Sequence, residues 1–155
     1  MSKPKVLFVC LGNICRSPTA EAVFRHKASA AGLDVYIDSA GTGGWHQGDA
    51  PDSRAIKAGS QRGYSFAGQS ARAVEPEDYR DFDHILAMDR RNLSDLKAET
   101  PAEYANKIKL FLSYGQSSES EVPDPYYGGG QGFEQVLDLI EDACEGLIKS
   151  LQQTA

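Results

Sequence analysis

The sequence predicts a three-layer α/β fold: a four-stranded parallel sheet with helices on both faces. Three observations lead there. Short apolar runs alternate with longer segments of helical pattern, as strands joined by crossover helices require. The first run, Val6-Leu7-Phe8-Val9, is continuously apolar rather than alternating, which suits a strand buried on both faces. The chain has 155 residues, 41% hydrophobic and 25% charged, enough for one domain with a real core. No repeat, linker or composition shift divides it, so residues 1–155 are expected to form a single domain.

In order, Lys5 to Cys10 reads as the first strand. A helix follows from Pro18 to about Ala31, capped by Ser17, with Ala22, Val23 and Ala30 on its apolar side and Gly32 as terminator. Asp34-Val35-Tyr36-Ile37-Asp38 alternates and reads as the second strand. Ser39 to Pro51 reads as a glycine-rich loop carrying Trp45 and His46. Asp52 or Ser53 caps a helix through about Arg62, stopped by Gly63. Glu75-Pro76-Glu77-Asp78 opens a short helix, its proline at a first-turn position and its acids at the positive dipole end. His84 to Met88 is the third strand, and Asp89 caps the helix after it. Ile108 to Leu112 is the fourth strand. A polar loop from Ser113 to Gln131 leads to a last helix over about Gly132–Leu151. Its stripe is Phe133, Val136, Leu137, Ile140, Cys144, Leu147, Ile148 and Leu151.

Bulk properties exclude several classes. The net charge of −6 and the absence of a Lys/Arg block argue against nucleic acid as a partner. The N-terminal apolar run is too short for a signal peptide, and nothing approaches a membrane span. Three cysteines, Cys10, Cys15 and Cys144, make no disulfide framework and suit a reducing cytoplasm. No Cys/His spacing suggests a metal site. His26, His46 and His84 read as surface or packing residues.

The chemistry concentrates in Cys10-Leu11-Gly12-Asn13-Ile14-Cys15-Arg16-Ser17-Pro18. A loop between a strand and a helix N-terminus offers unpaired N–H groups and a positive dipole end, hence an oxyanion site. Such a field also favours a thiolate over a thiol. Arg16 adds a planar fork that grips two phosphoryl oxygens, a geometry lysine cannot copy. The paired glycines and Lys-Ser/Thr of a nucleotide-binding loop are missing, so the segment suits one phosphate-sized anion. Gly12 and Asn13 tolerate left-handed backbone there. The first, third and fourth strands should deliver this loop, the Asp89 turn and the Asp124 loop to one rim.

A cysteine nucleophile needs a proton donor for the leaving oxygen. Asp124 is the candidate, held between Pro123 and Pro125, although loop composition alone makes it a turn residue. Tyr126 and Tyr127 form an aromatic wall for a substrate or pack against the body. Trp45, the only tryptophan, reads as a second wall of the same cleft. Cys15 reads equally as a packing residue or as the partner of Cys10 in a reversible, protective disulfide. Cys144 belongs to the core stripe.

Together the segment Cys10–Ser17, Asp38-Ser39-Ala40-Gly41, the Met88-Asp89 turn and Asp124-Pro125-Tyr126 resemble the low-molecular-weight protein tyrosine phosphatases. The resemblance runs over essentially the whole chain. It implies a flavodoxin-like or Rossmann-like sheet in the order 2-1-3-4. Cys10 would form a phosphocysteine intermediate, with Arg16 and the loop amides of Leu11, Gly12, Asn13, Ile14, Cys15 and Ser17 around the phosphoryl group. Asp124 would act as general acid and then general base. Ser17 would donate to the Cys10 thiolate, Asn13 would hold the loop, and Ser39 and Asp89 would support it. Leu11, Trp45 and Tyr126 would line the cleft. Tyr126 and Tyr127 match positions phosphorylated in some relatives. No metal or cofactor is implied. The expected partners are phosphotyrosine proteins, with inorganic phosphate or similar oxyanions as product or inhibitor.

One departure stands out: many relatives carry a histidine near Gln69 that supports the phosphate loop. Thiol-linked arsenate reductases share the fold but need extra cysteines near residues 75 to 90, and none occurs here. A phosphoarginine branch tends to carry threonine where this chain has Leu11 and Ile14, so a tyrosine-preferring pocket is expected. A phosphotyrosine- or anion-binding module without turnover is the competing class, and it would need neither Cys10 nor Asp124.

Overall fold

The computed structural model of the chain describes residues 3–125 and 130–154. Strands β1 (Lys5–Cys10), β2 (Tyr36–Gly41), β3 (His84–Ala87) and β4 (Ile108–Leu110) form one sheet in the order β2-β1-β3-β4, all parallel. The expected order therefore holds. Between them run α1 (Arg16–Ala30), α2 (Ser53–Gln61), α3 (Pro76–Asp81), α4 (Arg90–Glu99) and α5 (Gly130–Thr154).

Alternation along β1 splits the core into two layers. Val6, Phe8 and Cys10 face one cluster with α1, α2 and α5, whereas Leu7 and Val9 face another with Tyr79, Phe82 and Leu96 from the α3–α4 side. Phe8 anchors the larger cluster edge-on to Phe24 and Phe111, at 5.6 and 5.0 Å between centroids. The whole predicted α5 stripe is buried, Cys144 included.

Several boundaries differ from the sequence reading; β3 ends at Ala87 rather than Met88, and α5 runs two residues earlier and three later than read. β2 begins two residues late and runs on to Gly41, through residues read as loop. The reason is register: Leu7 to Cys10 pair with Asp38 to Gly41, so β1 carries its neighbour to the same rim. β4 stops at Leu110, and a 3₁₀ turn (Phe111–Tyr114) swings Phe111 into the core. A second 3₁₀ turn (Ala102–Lys107) left no periodicity to read. α1 starts at Arg16, not at Pro18, and Ser17 does not cap it; Cys15 stands at the cap position without a side-chain bond. Ala28 rather than Ala30 is buried on its inner side. The caps at Asp52 and Asp89 form as read, Pro76 opens α3 as expected, and there the Asp78 carboxylate also accepts from the Glu75 N–H.

Candidate active site

Parallel strands all point their carboxyl ends at one edge, and the loops leaving that edge meet there. The loop after β1 is tied to the one after β2, since Thr42 N–H donates to the Cys10 carbonyl and Gly43 N–H to that of Leu11, each at 2.9 Å. Val122 N–H donates to the Met88 carbonyl at 2.8 Å, which anchors the segment leading to Asp124 beside the end of β3. Gly41 is required by close approach: a Cβ there would lie 2.7 Å from the Leu11 carbonyl oxygen and 3.2 Å from Asn13 N.

Asn13 holds the loop after β1. It is the one non-glycine at positive φ among the described residues, at 58°. Its Oδ1 accepts from Arg72 N–H at 3.0 Å, and its Nδ2 donates to Ser17 Oγ at 2.8 Å and Ser39 Oγ at 3.0 Å. Those bonds take the place of tolerance by a glycine. The N–H groups of Leu11, Gly12, Ile14 and Cys15 make no hydrogen bond to the described residues, as an anion site needs.

Cys10 is buried, with its Sγ 3.0 Å from Ser17 Oγ and 3.2 Å from the Asn13 N–H. Ser17 turns its hydroxyl to this sulfur instead of capping α1. Arg16 is also buried. Its NH1 donates to Asp89 Oδ2 at 2.7 Å and to the Val122 carbonyl at 3.0 Å, while NH2 lies 3.8 Å from Asp124 Oδ2. Burial alone would weaken its charge, but the neighbouring Cys10, the Asp89 hydrogen bond and Asp124 together hold its pKa above the ordinary value. Asp89 thus serves twice, because its other oxygen caps α4 through Asn92 N–H.

These groups line a cleft of about 300 Å³ formed by Cys10, Leu11, Gly12, Ile14, Cys15 and Arg16 with Trp45, His46 and Asp124. Trp45 stands 73% exposed at the cleft, a cost in solvation that an aromatic ligand would offset. Cys15 is held as a thiol, its pKa pushed up to about 12 by burial first and then by the negative charge of Asp52. Cys10, Cys15 and Cys144 are all free. Such an arrangement can hold a tetrahedral oxyanion over a sulfur nucleophile with a carboxylate opposite.

The sequence reading placed most of these residues but not all. His46, read as surface or packing, lines the cleft. Its ring lies 3.0 Å from where a Gly12 Cβ would be, and Asp49 holds its Nδ1 at 3.2 Å. Its position beside Trp45 was the available signal. Glu21 and Arg72 were also missed, since helix and loop charges far along the chain carry no mark of whom they meet. Gln69 donates to the Pro18 carbonyl at 3.1 Å, so it supports the first turn of α1 rather than the loop itself. Tyr126 and Tyr127 lie outside the described residues.

Residues 5–155 match the family model described as low molecular weight phosphotyrosine protein phosphatase. The low molecular weight protein-tyrosine-phosphatase of Bacillus subtilis is 46% identical over 151 residues, covering 96% of each chain. A crystal structure of the protein tyrosine phosphatase from Entamoeba histolytica, with Hepes in its active site, superposes with a TM-score of 0.95. It is 44% identical and covers 98% of this chain and 99% of that one. The YwlE arginine phosphatase, solved as a mutant with a phosphorylated active-site serine, is 28% identical with a TM-score of 0.87, covering 96% of each chain.

Proposed function

The chain belongs to the low molecular weight phosphotyrosine protein phosphatase family, and from that we propose that it hydrolyses phosphotyrosine in proteins through a phosphocysteine at Cys10. It is a hydrolase of the protein-tyrosine-phosphatase class. The observation that carries the mechanism is the convergence of Cys10 Sγ, the Arg16 guanidinium and the Asp124 carboxylate on one cleft.

In the first step the Cys10 thiolate attacks phosphorus. A P–S bond forms, the P–O bond to the aryl group breaks, and Asp124 gives its proton to the departing phenolate. In the second, water attacks the phosphocysteine, Asp124 takes its proton, and the thiolate leaves with inorganic phosphate as product. Arg16 and the N–H groups of Leu11, Gly12, Ile14, Cys15 and Ser17 stabilise charge on the equatorial oxygens, while the Asn13 N–H serves the Cys10 sulfur; this is electrostatic work that needs no metal or cofactor. Asn13, Ser17, Ser39 and Asp89 hold those groups in place.

An arginine phosphatase shares the fold, so the substrate has to be argued from the cleft. Leu11, Ile14 and Trp45 present apolar and aromatic surface, which suits a phenyl ring better than a guanidinium. Tyr126 and Tyr127 belong to the same proposed wall. The reading treats residues 1–155 as a single catalytic domain acting in the cytoplasm, with three free cysteines in its favour. No helix among the described residues is long and apolar enough to cross a membrane.

The test is turnover of p-nitrophenyl phosphate in the presence of EDTA, followed by acid quenching during turnover. A phosphoryl group on Cys10 in the quenched protein is expected. Binding of phosphotyrosine without release of nitrophenol would identify a binding module instead.

Cys15 is proposed as the partner that rescues oxidised Cys10. Peroxide converts the Cys10 thiolate to a sulfenic acid; Cys15 then displaces water to form the disulfide, which a dithiol reduces. Peroxide-treated enzyme should recover activity with dithiothreitol. Irreversible loss in the unaltered protein, no worse in Cys15→Ser, would overturn the role.

A further inference from the structure

Glu21 is buried on α1 behind the cleft, 7% exposed, and no step above uses it. One of its carboxylate oxygens accepts from Ser39 Oγ at 2.7 Å and the other from Arg25 NH2 at 2.8 Å. An ionised carboxylate only accepts, so the Ser39 proton points at Glu21. Ser39 Oγ must then receive the Asn13 Nδ2–H through a lone pair, at 3.0 Å. The Asn13 amide cannot reverse, because its Oδ1 is committed to Arg72 N–H. Its Nδ2 therefore also donates to Ser17 Oγ. Ser17 is left with its own proton to give, and the Cys10 sulfur at 3.0 Å is nearer than the Ala40 carbonyl at 3.4 Å.

Glu21 fixes the Ser39 proton so that its lone pair meets Asn13 Nδ2, Arg72 N–H fixes the Asn13 amide, and Asn13 in turn leaves Ser17 its own proton to give. We propose that Glu21 is a positioning residue for the phosphatase reaction: its carboxylate sets the direction of the Ser39–Asn13–Ser17 hydrogen bonds so that the last hydroxyl donates to Cys10. This rests on Cys10 being the nucleophile. Arg25 contacts Glu21, Arg72 is engaged with Asp38 and Asp78, and Cys10 shares its cleft with Arg16, Cys15, His46 and Asp124.

Glu21→Gln tests the direction of the chain without changing its shape. A glutamine has one acceptor oxygen for two donors. With Arg25 holding that oxygen, the amide N–H₂ faces Ser39 and reverses its hydroxyl against Asn13. The readout is the pH dependence of Cys10 alkylation by iodoacetamide, which is independent of turnover. Cys15, with its pKa near 12, and the wholly buried Cys144 do not compete.

The half-maximal pH should move up by about one unit, the worth of one hydrogen bond to a charged group, and alkylation below it should slow roughly ten-fold. The sign is diagnostic. Simple removal of a negative charge near a thiolate would move the profile down. Ser39→Ala, which cuts the chain without removing a charge, should give the same upward shift. Ser17→Ala should also give it, and adding Glu21→Gln to Ser17→Ala should change nothing further. A stationary or lowered profile in both single variants, or an additive shift in the double variant, overturns the proposal. Should Cys10→Ser retain turnover, the nucleophile assignment fails instead, and the alkylation profiles still report on the chain.

Discussion

Cys10→Ser is expected to lose turnover by at least about 10⁴-fold while still binding phosphate. A serine hydroxyl keeps its proton at neutral pH, and among the described residues its hydrogen-bonding neighbours are the Asn13 N–H and the Ser17 hydroxyl, neither of them a base. An alkoxide is also a far poorer leaving group than a thiolate in the second step. The rest of the anion site is untouched, because Arg16 is held by Asp89 and the Val122 carbonyl rather than by Cys10. Loss of the thiolate charge removes repulsion toward a dianion, so inorganic phosphate should bind at least as tightly as before. Steady-state kinetics with p-nitrophenyl phosphate and calorimetric titration with phosphate measure the two halves. Full activity would remove Cys10 from the mechanism, and loss of both activity and binding would point to collapse of the loop.

Asp124→Ala should lower kcat for aryl phosphates with poor leaving groups by about 10²–10⁴-fold, the usual worth of a positioned general acid. For p-nitrophenyl phosphate the loss should be much smaller, since nitrophenolate departs without a proton. The KM should fall, because the Asp124 carboxylate faces Arg16 at 3.8 Å and competes with the substrate dianion for it. A series of substituted phenyl phosphates gives the dependence on leaving-group pKa, which should steepen in the variant. A loss of equal size across the series would make Asp124 a structural residue.

Much of this was readable in the chain because the relevant information is local. The apolar run Val6–Val9 could only be a doubly buried strand, and the α5 stripe could only be one face of a helix. Caps at Asp52 and Asp89 follow from side chains that accept from N–H groups two and three residues on, and at Glu75 the Asp78 carboxylate accepts from the N–H three residues back. The cysteine, arginine and asparagine of the site lie within seven consecutive residues, so their proximity is covalent.

What failed in the reading involved distance along the chain. β2 was placed two residues early because its alternation could not reveal that Asp38 to Gly41 would pair with β1. Ser17 was taken for a cap because the bond it makes instead, to Cys10, depends on how the loop closes. His46 was missed because its contact with Gly12 joins two loops that only the sheet brings together.

By itself, then, the sequence determined the order of strands and helices along the chain, the loop from Cys10 into α1 and the chemical types within it. Local propensities and short-range hydrogen bonds suffice for those. Only the tertiary structure decided what anchors Arg16, and that a buried glutamate on α1 connects through Ser39, Asn13 and Ser17 to the Cys10 sulfur. Hydrogen bonds between residues 18 to 106 positions apart arise from the parallel register of the sheet, and no local pattern encodes them.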